Sequence, residues 1–373
     1  MPRRRSGTDE ALMRRALDLS VLGLGETNPN PVVGCVIARA GRVVGEGLHL
    51  RAGGPHAEVP ALRQAGLRAR GATLYVTLEP CAHEGLTPPC APLVRDAGVA
   101  RVVAALRDPN PLVAGRGLSL LRRSGITVET GLLAAEAARL NERFLAWARQ
   151  GRPFVLLKAA LTLDGRIATA SGRSKWITSP AQRRQARWLR RLHDAVLVGV
   201  GTALTDDPLL LPSPRTRRPF TRVVLDSRLR LPATSRLART ATPRTPVLVV
   251  SCGKDPALRR ALEAVGVQVV AVSGEKGRVS LPAALEALSA RGLTSIMVEG
   301  GGEVLGSFLA RRLAHQVALF RAPLLLGGRG SRPAFGGEDP RGIGEALRLE
   351  PVPAEPAFPW PWPPEFELWR PRR

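Results

Sequence analysis

The chain has 373 residues, a formal net charge of +24 and 44% hydrophobic residues. This length predicts about two domains, each large enough for its own core. Membrane and secretory classes are disfavoured because no apolar run approaches the length of a span and the charged residues 1–7 lack a following apolar segment. The composition therefore predicts a soluble cytoplasmic protein with no membrane partner.

The basic charge indicates attraction to anions, either nucleic acid or a phosphorylated small molecule. There is a single tyrosine, and aromatic residues make up 4% of the chain. This scarcity argues against stacking platforms for single-stranded nucleic acid. We therefore expect small anionic ligands and no nucleic-acid partner.

The first 130 residues alternate between helical and strand-like patterns. Apolar spacing predicts a helix over residues 8–24 and a strand over 32–38 that turns back in a hairpin. Further elements are expected in this order: a helix from Pro55 toward Leu67, a strand over 72–79, a helix from Pro89 and Cys90, and a strand over 99–106. Strands that alternate with helices predict a layered α/β fold.

A helix over residues 134–148 ends in a polar stretch with Gly151 and Pro153, which marks a domain boundary. The second series of predicted strands covers residues 154–160, 195–201, 222–226, 247–251, 267–272, 295–299 and 316–322. We expect domains over 1–148 and 149–350, followed by a Pro- and Trp-rich tail over 351–373 that packs as an irregular end.

His56, Cys81 and Cys90 offer one imidazole and two thiols, which suits Zn²⁺ and leaves a fourth tetrahedral position for water. Glu58 lies two residues after the histidine, where it would move protons to and from that water. This layout is typical of zinc nucleobase deaminases, although the loop between the cysteines is longer than C-x-x-C. A zinc site that only holds the loop together remains an alternative, with His83 as a candidate fourth ligand.

Several motifs of the first half together resemble the N-terminal domain of the bifunctional riboflavin-biosynthesis deaminase/reductase family. They cover residues 29–36, 54–59, 78–90, 108–111 and 114–117. The resemblance implies a cytidine-deaminase-like three-layer α/β/α domain, zinc on His56, Cys81 and Cys90, and proton transfer by Glu58. It also implies that Asn30, His49 and His83 line the substrate pocket.

The second half contains a strand, a glycine turn and a helix start over residues 295–305, together with polar segments at 158–166, 174–178 and 206–208. In this order they resemble the reductase domain of the same family, which has a dihydrofolate-reductase-like α/β fold. The resemblance implies an NADPH site formed by Ala160, Trp176, Thr202, Asp206, Ser227, Gly301 and Gly302. The implied substrate contacts are Lys158, Ser174, Arg190, Leu210 and Glu299.

Two departures from the family pattern concern the substrate phosphate. Leu86 occupies a place where the family usually has a cation near the substrate phosphate. Ser213 stands where the family's Asp-Asp-Pro motif is followed by an arginine, and Arg215 is a candidate replacement. These changes touch substrate affinity more than hydride chemistry.

We expect an enzyme that removes an amine from a phosphoribosylaminopyrimidine and then reduces its ribosyl group to ribityl with NADPH. The family is commonly oligomeric, which implies a homo-oligomer, either dimer or tetramer. Three alternatives stay open: an active deaminase with an impaired reductase, a zinc deaminase acting on nucleic acid, and a zinc-stapled nucleic-acid-binding protein that is no enzyme.

Overall fold

The computed structural model describes residues 7–85, 87–110, 113–338, 340–353 and 365–372. The chain divides into two compact units between Gln150 and Gly151. None of the helices in these described ranges is long and apolar enough to cross a membrane.

The described strands of the first unit form one mixed sheet with the order β2-β1-β3-β4-β5. The strands are β1 (Gly34–Arg39), β2 (Arg42–Leu48), β3 (Thr73–Leu78), β4 (Arg101–Leu106) and β5 (Thr127–Thr130). The helices are α1 (Gly7–Val21), α2 (Glu58–Ala65), α3 (Cys90–Asp96), α4 (Arg116–Arg123), α5 (Ala134–Leu140) and α6 (Glu142–Gln150), with a 3₁₀ turn at Gly66–Ala69.

Helices cover both faces of this sheet. Alternating residues of β1, β3 and β4 pack against α2, α3 and α4 in one apolar core, while α1 and α5 contact the strands and each other. The three-layer α/β/α arrangement predicted from the sequence is therefore confirmed.

One predicted helix of this unit is divided in two. The helical pattern over residues 134–148 is interrupted at Asn141, between α5 and α6. The Asn141 side chain accepts a hydrogen bond from the Val32 amide at 2.8 Å and donates one to the Val32 carbonyl at 3.0 Å. These buried long-range bonds hold Asn141 in a non-helical conformation, which local apolar spacing does not reveal.

The second unit is built on a nine-stranded sheet of order β11-β10-β9-β8-β14-β6-β15-β18-β17 among the described residues. Its strands are β6 (Phe154–Thr162), β8 (Ala195–Gly199), β9 (Thr221–Leu225), β10 (Val247–Ser251), β11 (Gln268–Ala271), β14 (Ser295–Val298), β15 (Gln316–Ala322), β17 (Leu349–Pro351) and β18 (Glu367–Pro371). Short paired strands are β7 (Arg166–Ala168) with β16 (Arg332–Pro333), and β12 (Gly274–Glu275) with β13 (Arg278–Val279).

The helices of the second unit are α7 (Pro180–Arg191), α8 (Val200–Asp206), α9 (Arg236–Arg239), α10 (Pro256–Glu263), α11 (Leu281–Ser289) and α12 (Gly302–Ala310), with a 3₁₀ turn at Ile343–Glu345. In sheet order, the strands β11, β10, β9, β8, β14, β6 and β15 run parallel to their neighbours. Their side chains point alternately into two cores: Leu197 faces one core, and Val196 and Val198 face the other. Two-sided burial explains their continuous apolar runs.

The C-terminal tail differs from the expected irregular end. Residues Glu367–Pro371 form β18, which pairs antiparallel with β15 and with β17. Proline-rich composition suggested no strand here, but antiparallel pairing with β15 on one side and β17 on the other satisfies the backbone groups of this segment. Residues 354–364 lie outside the described ranges.

Candidate active sites

The three predicted zinc ligands lie on different elements of the first unit. His56 precedes α2 by two residues, Cys81 follows β3, and Cys90 is the first residue of α3. The Cys90 amide donates a hydrogen bond to Cys81 Sγ at 3.4 Å. The Cys90 amide at the start of α3 therefore faces Cys81 Sγ, which favours the thiolate form of that sulfur.

Close backbone contacts fix the position of these ligands. A Cβ at Gly47 of β2 would lie 2.1 Å from the Ala57 carbonyl oxygen, so only glycine lets α2 approach the sheet this closely. On the other side of the site, a Cβ at Gly117 would lie 1.8 Å from the Pro80 carbonyl oxygen. The segments that carry His56 and Cys81 are thus held against rigid secondary structure.

The ligand atoms fit a zinc ion. His56 Nδ1 lies 3.4 Å from Cys81 Sγ and 3.4 Å from Cys90 Sγ, and all three ligand atoms lie within 4.8 Å of one another. Tetrahedral zinc with bonds of about 2.0–2.3 Å places its ligand atoms roughly 3.5 Å apart. His83 is exposed and does not belong to this group, so three protein ligands leave one position open.

Charge in the cluster is strongly perturbed. Burial raises the pKa of Glu58 to about 7, so the carboxyl group is suited to both accept and release a proton near neutral pH. A hydrogen bond from Cys90, assisted by His56, lowers the pKa of Cys81. The hydrogen bond to Cys81, together with burial, raises the pKa of Cys90.

Asn30 and His49 meet beside the zinc ligands. His49 Nδ1 lies 2.9 Å from the Pro55 carbonyl oxygen, which only accepts, so this nitrogen carries the proton. His49 Nε2 then accepts from Asn30 Nδ2 at 3.1 Å, and burial lowers the pKa of His49. The His49 ring stands edge-on to His56 with centroids 5.3 Å apart. A neutral histidine and an oriented amide thus border the metal site.

Two further residues support this site without having been singled out from the sequence. Thr87 Oγ1 lies 3.3 Å from His56 Nε2, the ring nitrogen that faces away from the sulfurs. The buried Glu79 carboxylate accepts backbone hydrogen bonds from Asp108, Gly115, Gly117 and Leu118. An acidic residue at the end of an apolar strand was the available signal for Glu79. Leu86 lies outside the described residues.

In the second unit, three predicted substrate-contacting residues converge. Arg190 pairs with both carboxylate oxygens of Glu299, at 2.5 and 2.9 Å, and Lys158 Nζ lies 3.8 Å from the same carboxylate. Burial alone would raise the pKa of Glu299, but Arg190 and Lys158 lower it. Burial lowers the pKa of Lys158. Two cations against one carboxylate leave one net positive charge.

Residues predicted to bind the coenzyme form two groups, one at the glycine turn and one around Trp176. Gly301, the N-cap of α12, donates its amide to Thr202 Oγ1 at 3.1 Å, and Lys175 Nζ lies 3.2 Å from Asp206. The exposed Trp176 ring carries the Arg183 guanidinium at 4.4 Å. These contacts bring the glycine turn to the start of α8, and residues 175–176 to its end and to α7.

Ala160, Ser174 and Leu210 are less directly connected. Ala160 is half-buried on β6 opposite Phe320, and Ser174 is half-buried between β7 and α7. The Leu210 side chain packs in a buried core cluster. Any ligand contact of Leu210 therefore falls to its backbone.

A cleft of about 970 Å³ opens in the second unit beside the glycine turn. Ser227 lines it, as do Gly199–Gly201 and the first turn of α12, which begins at Gly302. Its lining carries five cations that sequence reasoning did not single out, Arg228, Arg230, Lys276, Arg278 and Arg311, and three carboxylates, Glu275, Glu303 and Glu338. Arg278 pairs with Glu303, and Arg311 pairs with Glu275. A glycine-bordered cleft whose cations outnumber its carboxylates fits a dinucleotide that carries several phosphate groups.

These two units define a zinc-dependent deaminase joined to a nucleotide-dependent reductase. The family model described as the cytidine and deoxycytidylate deaminase zinc-binding region matches residues 6–106. The model described as the RibD C-terminal domain matches residues 153–356. Both halves of the predicted fold are therefore confirmed.

Whole-chain comparisons agree. The riboflavin biosynthesis protein RibD of Bacillus amyloliquefaciens is 43% identical over 333 residues, 88% of each chain. That of Escherichia coli K12 is 42% identical over 364 residues, 94% of each chain. The solved structure of Acinetobacter baumannii RibD gives a TM-score of 0.87 at 37% identity, covering 98% of this chain and 99% of that one.

A Thermotoga maritima structure, a diaminohydroxyphosphoribosylaminopyrimidine deaminase/5-amino-6-(5-phosphoribosylamino)uracil reductase, gives a TM-score of 0.82 at 34% identity, covering 98% of this chain and 99% of that one. The chain belongs to the RibD family of riboflavin biosynthesis proteins. It is an enzyme with a zinc-dependent deaminase domain and an NADPH-dependent reductase domain.

Proposed function

We propose that this chain catalyses two consecutive steps on one phosphoribosylated pyrimidine. Residues 1–148 form the deaminase, which releases ammonia from 2,5-diamino-6-(5-phosphoribosylamino)pyrimidin-4(3H)-one. Residues 149–350 form the reductase, which converts the ribosyl group of 5-amino-6-(5-phosphoribosylamino)uracil to ribityl. No catalytic role is assigned to residues 351–373.

The arrangement of the zinc ligands carries this proposal. His56, Cys81 and Cys90 supply three ligand atoms within 4.8 Å of one another, and the buried Glu58 lies beside them. Structural zinc sites usually have four protein ligands, whereas catalytic sites keep one position open. A site that only staples the loop is therefore disfavoured.

In the deaminase site, zinc when bound makes water nucleophilic at neutral pH. Glu58, buried beside these ligands, would accept a proton from the attacking water and pass it to the departing amine, which leaves as ammonia. Asn30 and His49 orient the pyrimidine. The exposed His83 contacts the ribose phosphate of the substrate.

In the reductase site, NADPH supplies the hydride. The coenzyme is bound by seven residues: Ala160, Trp176, Thr202, Asp206, Ser227, Gly301 and Gly302. The ribosyl group is held in position by Lys158, Arg190 and Glu299, together with Ser174 and the Leu210 backbone. Their buried charges keep a fixed polar environment where charge develops at the sugar.

Nucleic acid is the disfavoured substrate. Both family domains are present, and a nucleic-acid deaminase would have no use for the reductase half. An impaired reductase is also disfavoured, since Lys158, Arg190 and Glu299 are assembled. We further propose that the protein is a cytoplasmic homo-oligomer, either a dimer or a tetramer. Sedimentation analysis would determine its mass.

The test is a coupled assay on zinc-loaded protein that follows ammonia release and NADPH oxidation separately. We expect both signals, with NADPH oxidation dependent on prior deamination. Glu58→Gln should retain zinc but lose ammonia release, while it still oxidises NADPH when given the deaminated substrate. Glu10→Gln, at an exposed site on α1, is the matched control. Zinc-loaded wild type without either signal would refute the substrate assignment.

A further inference from the structure

Helix α7 carries three arginines on one face. Arg183, Arg187 and Arg190 are spaced by four and three residues, so their side chains are neighbours on the helix surface. Arg183 donates to the Thr178 carbonyl at 2.5 Å and covers Trp176. Arg190 is bound to Glu299. Both outer arginines are therefore engaged within the protein.

The middle arginine is not engaged. Within the described part of the chain, the half-buried Arg187 side chain has no hydrogen bond and no acidic partner. A partly desolvated guanidinium without a counter-ion is unfavourable, because its charge has lost water without gaining a partner. Such a group is favoured where it binds an anionic ligand.

The position of Arg187 points to one ligand. Its carbonyl accepts the Ser213 amide at 3.2 Å, and Arg190 Nη1 donates to the Leu211 carbonyl at 3.0 Å. Residues 211–213 thus contact α7 at the Arg187 carbonyl and at the Arg190 guanidinium. Arg190 also belongs to the cluster of Lys158, Arg190 and Glu299, and this cluster has one net positive charge. An anion bound beside Arg187 would meet no uncompensated carboxylate in this cluster.

We propose that Arg187 binds the phosphate monoester of the reductase substrate and sets the preference for phosphorylated over dephosphorylated substrate. The planar guanidinium offers two parallel donors to phosphate oxygens, which suits this ligand better than a point charge. Arg215, the candidate from sequence, is exposed in a loop. Its side chain is not held toward the cluster by any contact among the described residues. This inference rests on the proposed reductase function.

The experiment compares Arg187→Gln with Arg184→Gln, an exposed arginine on another face of the same helix. NADPH oxidation is measured with 5-amino-6-(5-phosphoribosylamino)uracil and with its dephosphorylated form. For Arg187→Gln we expect KM for the phosphorylated substrate to rise about 10-fold or more, since charged hydrogen bonds to phosphate are lost. The KM for NADPH and kcat/KM for the dephosphorylated substrate should stay unchanged. Arg184→Gln should match wild type, and Arg187→Lys should restore part of the preference.

Three kinetic outcomes would overturn the inference. Equal losses on both substrates would indicate a structural role, no loss would remove Arg187 from the site, and a selective loss in Arg215→Gln alone would assign the phosphate to Arg215. Calorimetric titration of the phosphorylated substrate needs no turnover. Wild type that binds it more tightly than Arg187→Gln, yet oxidises no NADPH, would refute the proposed reductase while supporting the phosphate contact. Equal binding would refute the contact itself.

Discussion

Glu79 offers the sharpest test of how the deaminase site is supported. Its carboxylate is 4% exposed and accepts backbone amides of Asp108 and Gly115 on one oxygen, at 3.2 and 2.9 Å, and those of Gly117 and Leu118 on the other, at 3.0 and 3.3 Å. In Glu79→Gln, one oxygen becomes an NH₂ group that faces two N–H donors. Those two buried donors then lose their acceptor.

The cost follows from these contacts. Each unsatisfied buried donor costs about 1–3 kcal/mol, so the substitution should cost roughly 3 kcal/mol in the stability of segment 108–118. Such a loss corresponds to amide exchange about 100-fold faster in that segment when exchange proceeds by local opening. Because Gly117 contacts the Pro80 carbonyl next to Cys81, zinc affinity should also fall.

Hydrogen exchange followed by mass spectrometry measures the faster amide exchange, and comparing samples with and without zinc measures the loss of zinc affinity. Glu10→Gln serves as the control because Glu10 is exposed on α1 and, among the described residues, pairs only with the surface residue Arg14. Exchange of segment 108–118 that stays within about threefold of wild type would refute the reasoning. The same acceleration in the control would do so as well.

Three further outcomes are expected. Thr87→Val should weaken zinc binding about 10-fold by releasing His56 Nε2, as chelator competition would detect, and unchanged affinity would contradict that role. Gly47→Val should unfold or displace α2 and abolish zinc binding, since its Cβ cannot fit at 2.1 Å from Ala57, and a normal zinc content would refute the steric argument. Arg190→Gln should cost about 3 kcal/mol in denaturant unfolding by leaving Glu299 buried beside Lys158 alone, and a cost below about 1 kcal/mol would contradict the contribution of the pair.

Local sequence determined much of this protein. The spacing of His56, Glu58, Cys81 and Cys90 indicated the metal and the proton carrier, because ligand type and short-range order are chemical properties of the chain itself. Apolar runs marked the buried parallel strands of the second unit, since strands covered on both faces need no polar alternation. The start of α7 is also a local signal, because Ser179 precedes Pro180 and caps the helix in a capping box with Gln182.

Tertiary structure decided what depends on residues far apart in sequence. The pairing of Arg190 with Glu299 spans 109 residues, and the contact of Asn141 with Val32 also spans 109. No local pattern specifies such pairs, because their partners are chosen by the sheet order and by close backbone approach. The same holds for Arg187, whose place beside residues 211–213 became visible only when α7 and that loop were folded together. Sequence names the chemical groups, and packing decides which of them share one site.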